Sequence, residues 1–201
     1  MVKTGLYTCQ EMPTRNAREH ILQTASQLFY QSGIRAVGVD TIIAESGVAK
    51  MTLYRHFPSK DDLMVAFLQR THDLMMQWMD EQTSPHRGNP QRMLEAIFEG
   101  TQHLAGSVQC LGCAFLNAAS EFHEWNHPAH EQARKHKEIL LDYFGRLAHE
   151  AGMHQPQVLA GNLLLLMDGA WAAARTFGPQ NHASHVAKAA HILIAAHTSA
   201  D

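Results

Sequence analysis

The chain has 201 residues, with 16 Lys or Arg against 19 Asp or Glu, 15 His and three Cys, and a net charge of −3 when histidine is neutral. That length holds one small module and one larger one, each able to bury a core. Three cysteines exclude a disulfide framework, and no stretch reaches the roughly 18 to 20 uninterrupted apolar residues of a membrane span. Even 158–177 is broken by Asn162, Asp168 and Arg175.

Ala, Leu, Met, Gln and Glu are abundant and Pro is confined to junctions, which favours helix. The charge is unevenly spread. Residues 14–60 carry six cations (Arg15, Arg18, Arg35, Lys50, Arg55, Lys60) against three anions, and residues 61–201 carry nine against fifteen. A basic head on an acidic body can approach a polyanion in one orientation.

In chain order, 1–13 lacks periodicity and reads as a flexible tail; it also lacks the apolar run of a signal peptide, so a cytoplasmic location is expected. Ile21, Leu22, Ala25, Leu28 and Phe29 then follow helical spacing up to Gly33. A second helix is expected over 40–46, with Ile42 and Ile43 packing on the first. Gly38 offers its start no side-chain cap, so Asp40 is the residue expected to share that role.

Gly47 can take the left-handed conformation that stops this helix, and a new one restarts almost at once over 50–57. Val48, Leu53 and Phe57 fall on its inner side. Lys50, Met51, Thr52, Tyr54, Arg55 and His56 are left outside. That outer set brings cations and hydroxyls for phosphates, and donors, acceptors and apolar atoms for base edges. Pro58 ends the short helix, and Ser59 is placed to cap the next, with Lys60, Asp61 and Asp62 in its first turn.

A helix stop, a short exposed helix and a restart make a helix-turn-helix. Together with Ile21-Leu22, Ala25, Leu28-Phe29, Gly33, Gly47-Val48, Thr52-Leu53-Tyr54, His56-Phe57 and Ser59-Lys60, it closely resembles the tetracycline-repressor (TetR) family of transcriptional regulators. The resemblance is strong from Arg15 to about Leu63. Beyond that it is architectural, although 112–118 and 166–170 look like one effector-domain subgroup. It implies an all-α chain in which a three-helix DNA-binding head (14–60) precedes a larger helical effector-binding and dimerisation domain (61–201). It further implies that Tyr54, His56 and Lys60 hold phosphates while Lys50, Met51, Thr52 and Arg55 lie nearest to bases. The partners implied are double-stranded operator DNA, a second copy of the chain and a small-molecule effector, with no cofactor and no membrane.

The rest of the chain reads as one long helix over 59–82, a loop over 83–91, and helices over 92–103, 113–124, 128–151, 156–177 and 183–197, punctuated by Pro128, Pro156, Gly152 and Gly178. Met75, Trp78, Met79, Phe98, Phe115, Leu116, Phe122, Met167 and Trp171 are candidates to line an effector pocket, since Met and aromatic side chains suit irregular apolar ligands as well as ordinary cores. Asn117 and Glu121, four apart among Ala and Phe, form a polar pair that needs a reason: a ligand, or each other. Leu163, Leu164, Met167, Ala170, Trp171 and Ala174, with Val186, Ala189, Ala190, Leu193 and Ile194, offer apolar faces that could close a four-helix bundle between two copies or complete a monomer core.

Two further groups suggest other chemistry. Cys110 and Cys113 form a lone C-x-x-C, whose default is inert thiols and whose alternative is a redox switch. His123, His127 and His130 with Glu124 invite a metal, but Asn126 and Pro128 break the helix that would align them. A helical enzyme acting through Asn117, Glu121 and His123 is the remote rival, with no nucleophile-base pattern or cofactor motif to support it. The sequence thus points to a homodimeric repressor released from DNA by a small molecule, with a redox or metal sensor on the same scaffold as the alternative.

Overall fold

The computed structural model describes residues 16–198. Among them the backbone forms nine α-helices and no strand: α1 (Ala17–Ser32), α2 (Val39–Ser46), α3 (Lys50–His56), α4 (Lys60–Thr83), α5 (Pro90–Ala105), α6 (Ala114–Glu121), α7 (Pro128–Glu150), α8 (Pro156–Phe177) and α9 (Val186–His197). Short 3-10 turns occupy Ser84–His86 and His182–His185. The all-α class expected from composition and periodicity is the one observed. The tail expected over 1–13 lies outside the described residues.

Local chemistry sets most helix ends. Asn16 and Asn89 each accept a backbone N–H from the first turn that follows, Arg18 at 3.0 Å and Arg92 at 3.1 Å. Ser59 caps α4 by accepting the Asp62 N–H at 3.0 Å while its hydroxyl donates to the Asp62 carboxylate at 2.6 Å. Pro90, Pro128 and Pro156 open α5, α7 and α8, where a missing N–H costs nothing. Helix α6 is shorter than expected. It stops at Glu121 rather than running to residue 124, because the Phe122 carbonyl is taken by the His130 ring at 2.7 Å and the Phe122 ring stacks on His127.

The chain divides into two compact units, and their boundary is not the single cut at residue 60 that the sequence suggests. Within the described residues, the first unit joins 16–73 to 114–134, so that α6 and the segment after it belong with the head. Its core holds Ile21, Leu22, Phe29, Leu53, Phe57, Leu63 and Phe67, with Phe29 and Phe67 edge to face at 5.7 Å. The second unit joins 74–113 to 135–198 and buries Met79, Leu94, Phe98, Phe144, Leu159, Leu163 and Met167. Each such side chain stabilises its unit by about 1.5–3 kcal/mol relative to exposure.

Helix α8 is long and apolar enough, with a mean hydropathy of 1.2 over its best window, to cross a membrane by length and composition. Its inner side, Leu159, Leu163, Met167, Ala170 and Trp171, is buried in the second unit. This corrects the expected dimer surface. Leu163, Met167, Ala170, Val186 and Ala190 are all buried within one copy, and Leu193 packs against the same cluster. The apolar residues left outside include Val158, Leu165 and Ala172, one every two turns of α8, Phe177 at its end, and Ile192, Ala195 and Ala196 on α9.

Candidate nucleic-acid interface

The reading head is built around the turn between α2 and α3. Gly47 sits at φ 66°, ψ 13° and its N–H returns to the Ile43 carbonyl at 2.9 Å, closing α2 with the left-handed cap that the sequence requires. The Thr52 and Leu53 amides then bond to the Ala49 carbonyl at 2.8 and 3.2 Å, so α3 starts within three residues of the stop. Leu53 and Phe57 point into the core, and the Arg18 guanidinium lies over the Phe57 ring at 5.0 Å. His20 holds the Ser46 carbonyl at 2.9 Å and ties α1 to the same turn.

The residues that the sequence places outside are accessible. Met51 is 80% exposed and Tyr54 39%, Lys50 and Arg55 are exposed, and Thr52 and His56 are half-buried. Lys50 is held by Asp40 of α2 at 3.3 Å, an exposed pair that orients the ammonium without burying it. Asp40 therefore pairs across the motif, and α2 has Gly38 as its N-cap with no side-chain bond. Lys60 is less free. Its Nζ reaches the Arg35 carbonyl at 3.4 Å, and burial, the largest influence, lowers its ammonium below the ordinary lysine value against the opposing charges of Glu121 and Asp61.

Residues 21–67 match the family model described as "Bacterial regulatory proteins, tetR family". A crystal structure of a TetR-family transcriptional regulator from Streptomyces coelicolor superimposes with a TM-score of 0.84 at 29% identity, covering 91% of this chain and 96% of that one. Residues 21–67 are a TetR-family head. Two curated relatives have the same kind of head: the transcriptional activator FasR of Mycolicibacterium smegmatis, 35% identical over 95 residues (46% of this chain, 43% of that protein), and the transcriptional repressor NemR of Escherichia coli, 30% identical over 111 residues (53% and 54%). The chain thus spans about half the length of the curated relatives it matches.

Away from the TetR-like head, the residues proposed for an effector pocket fall into both units. Phe115, Asn117 and Glu121 belong to the first, and Met75, Trp78, Met79, Phe98, Met167 and Trp171 to the second. Met79, Phe98 and Met167 are fully buried among aliphatic and aromatic neighbours, and Trp78 lies against Gly100. Of the three apolar candidates in and beside α6, Phe115 is buried, Leu116 is 37% exposed and Phe122 lies against His127 and Arg35. Glu121 has partners in the head. Its carboxylate accepts the Ile34 N–H at 3.0 Å and the Arg35 N–H at 2.6 Å.

The other polar clusters resolve in different ways. His127 accepts the Ala129 N–H through Nδ1 at 3.2 Å and stacks on Phe122 at 3.8 Å, and His130 holds the Phe122 carbonyl, so both rings shape the connection between α6 and α7. Among the described residues no group of three or more His, Cys, Asp or Glu is arranged to hold a metal. Cys110 and Cys113 are half-buried and form no disulfide. The Lys137 ammonium lies 3.8 Å from the Cys113 sulfur and is paired with Asp168 of α8.

Sequence reasoning missed three contacts of the head: His20 with Ser46, Asp40 with Lys50, and Glu121 with the turn after α1. The second joins opposite charges within one motif and could have been sought there; the first ends on a backbone carbonyl, which carries no sequence signature. The third spans 87 positions and leaves no local signal.

Proposed function

We propose that this chain is a ligand-responsive, DNA-binding transcriptional regulator that acts in the cytoplasm as a homodimeric repressor and performs no catalytic step. The observation that carries the reading is the solvent-facing side of α3, where Lys50, Met51 and Arg55 stand exposed on a helix held by a closed helix-turn-helix. Helix α3 enters the major groove, with Lys50, Met51, Thr52 and Arg55 facing bases and Tyr54, His56 and Lys60 on phosphates.

Two copies associate through the outward stripe of α8 and α9, Val158, Leu165, Ala172 and Ile192, and place two heads about one DNA turn (~34 Å) or slightly more apart on a pseudo-palindrome. Leu165, 73% exposed, sits at the middle of that stripe. Leu165→Glu is expected to give monomers in sedimentation and to lose cooperative DNA binding, whereas an unchanged dimer would move the interface elsewhere. A small effector then favours a body geometry in which the spacing of the heads no longer matches DNA, and by linkage DNA and effector oppose each other equally.

The experiment for the head is salt-dependent binding to a mixed-sequence duplex, followed by fluorescence anisotropy. Wild type is expected to bind with log K falling linearly in log salt, and Lys60→Ala to flatten that slope by about one unit. An unchanged slope would remove Lys60 from the phosphate contacts.

A second reading, a thiol sensor on the same scaffold, is favoured by the contact between Lys137 and Cys113, since an ammonium is the kind of neighbour that reactive thiolates have. Loss of DNA binding under mild peroxide that Cys113→Ser abolishes would support it. Peroxide loss that persists in Cys113→Ser would end it.

A further inference from the structure

The last residue of α6, Glu121, stands against the turn that leaves α1, where the backbone has just passed Gly33 at φ 87°. A Cβ at Gly33 would meet the Glu121 Oε1 at 3.2 Å, so the carboxylate is seated on that turn rather than passing over it. It accepts two successive amides, those of Ile34 and Arg35, one on each oxygen. The grip is returned: the Arg35 guanidinium donates to the Glu121 carbonyl at 3.0 Å and lies over the Phe122 ring at 5.8 Å. At the next peptide, Lys60, the first residue of α4, reaches the Arg35 carbonyl at 3.4 Å. The residues that follow are anchored too, with Ile34 and Val37 buried, and five residues after Ile34 helix α2 begins.

We infer that Glu121 is a positioning residue for DNA recognition: by capping the amides of Ile34 and Arg35 it fixes the segment that sets α2 and α3 against α1 and α4. The reading head is then not the three helices alone but those helices closed by the end of α6. This rests on the DNA-binding reading given above. Its physical content is pre-organisation. With the carboxylate in place the segment 34–38 has one arrangement; without it the segment samples several, and the apparent affinity falls by the fraction of heads that remain competent.

The sign of the effect separates this role from simple electrostatics. Glu121 is an anion in the unit that meets a polyanion, so if it acted only through charge, Glu121→Gln would strengthen DNA binding. As a positioning residue its loss weakens binding, because Gln keeps the shape but offers one acceptor oxygen where two amides need one each. The expected change is about tenfold weaker binding, on the scale of one lost charge-assisted hydrogen bond.

The test uses full-length protein and the tightest duplex that wild type retains from a random pool, beside a mixed-sequence duplex, well below the melting temperature. Glu121→Gln is expected to bind the selected duplex about tenfold more weakly, to change little on the mixed duplex, and to exchange the Ile34 and Arg35 amides faster. Equal or tighter binding to the selected duplex, with those amides released, overturns the positioning role. Amides that exchange no faster in the variant overturn the contact itself. Slow exchange at Ile34 and Arg35 in wild type reads the clasp without any variant, so a variant that fails to fold does not protect the idea. A wild type that selects no duplex overturns the DNA-binding reading, and with it the affinity half of this inference, while the exchange arm still reports on the clasp.

Discussion

The two units of this chain use their residues in opposite ways. In the first, the side chains proposed to meet DNA are those the fold leaves outside: Lys50, Met51 and Arg55 are exposed while Leu53, on the same seven-residue helix, and Phe57, its C-cap, satisfy the core. In the second, the large apolar side chains that could serve a ligand or a partner are mostly the core itself, as with Met79, Phe98 and Met167. A function carried on polar, outward residues is separable from stability. A function carried on buried apolar residues is not, and substitutions there will read first as loss of fold.

The strongest way to break this contrast lies in the second unit. Phe98→Ala, at a fully buried ring tilted against Phe144 at 5.9 Å, is expected to cost about 3–5 kcal/mol in denaturant unfolding. A variant that stays as stable as wild type would show that the site is not ordinary core and return it to the pocket candidates. Lys50→Ala in the first unit is expected to do the reverse: about 1–3 kcal/mol of DNA affinity lost with an unchanged thermal midpoint. A shifted midpoint would mean that its pair with Asp40 supports the fold.

Two glycines sharpen the account of packing in the second unit. A Cβ at Gly100 would meet the Trp78 ring at 2.7 Å, and one at Gly145 would meet the end of the Gln157 side chain at 2.5 Å. A tryptophan ring against a helix cannot retreat and a terminal amide can. Gly100→Ala is therefore expected to destabilise by about 1–2 kcal/mol despite better helix propensity, and Gly145→Ala to be neutral or to stabilise by up to about 1 kcal/mol. Equal effects in thermal melts would show that Trp78 is not fixed there.

The smallest expected effect is electrostatic. Burial of Glu95 raises its pKa, but bonds from Gln91 and Arg92, with the charges of Arg92 and His191, outweigh that and hold the carboxyl below its ordinary value. A depressed carboxyl contributes stability in full above the unfolded-state pKa and loses it as pH falls through the folded one. Glu95→Gln is thus expected to be less stable than wild type at neutral pH, with the gap closing in acid; a gap that widens in acid would contradict the sign.

Legibility in the sequence follows the same division. The bounds of α8 match the reading from Pro156 and Gly178, and α3 differs by one residue, because Pro and Gly act on the backbone locally. The outward set of α3 was also legible, since a short helix with Leu53 and Phe57 inward leaves one choice of outer face. The outward residues of α8 proposed as an interface were not. Leu163, Leu164, Leu165 and Leu166 place apolar side chains on every side of the helix, so periodicity cannot say which faces the core. Glu121 was not legible either, because its partners lie 86 and 87 positions away and are backbone amides that carry no sequence signature.

The central claim is that the exposed face of α3 reads DNA sequence in a two-fold assembly. Selection of duplexes from a random pool by the purified full-length chain, at near-physiological salt and followed by sequencing, tests it most directly. The account predicts recovery of a pseudo-palindrome whose half-sites lie about one helical turn or slightly more apart. Retention that is sensitive to salt but indifferent to sequence would contradict it.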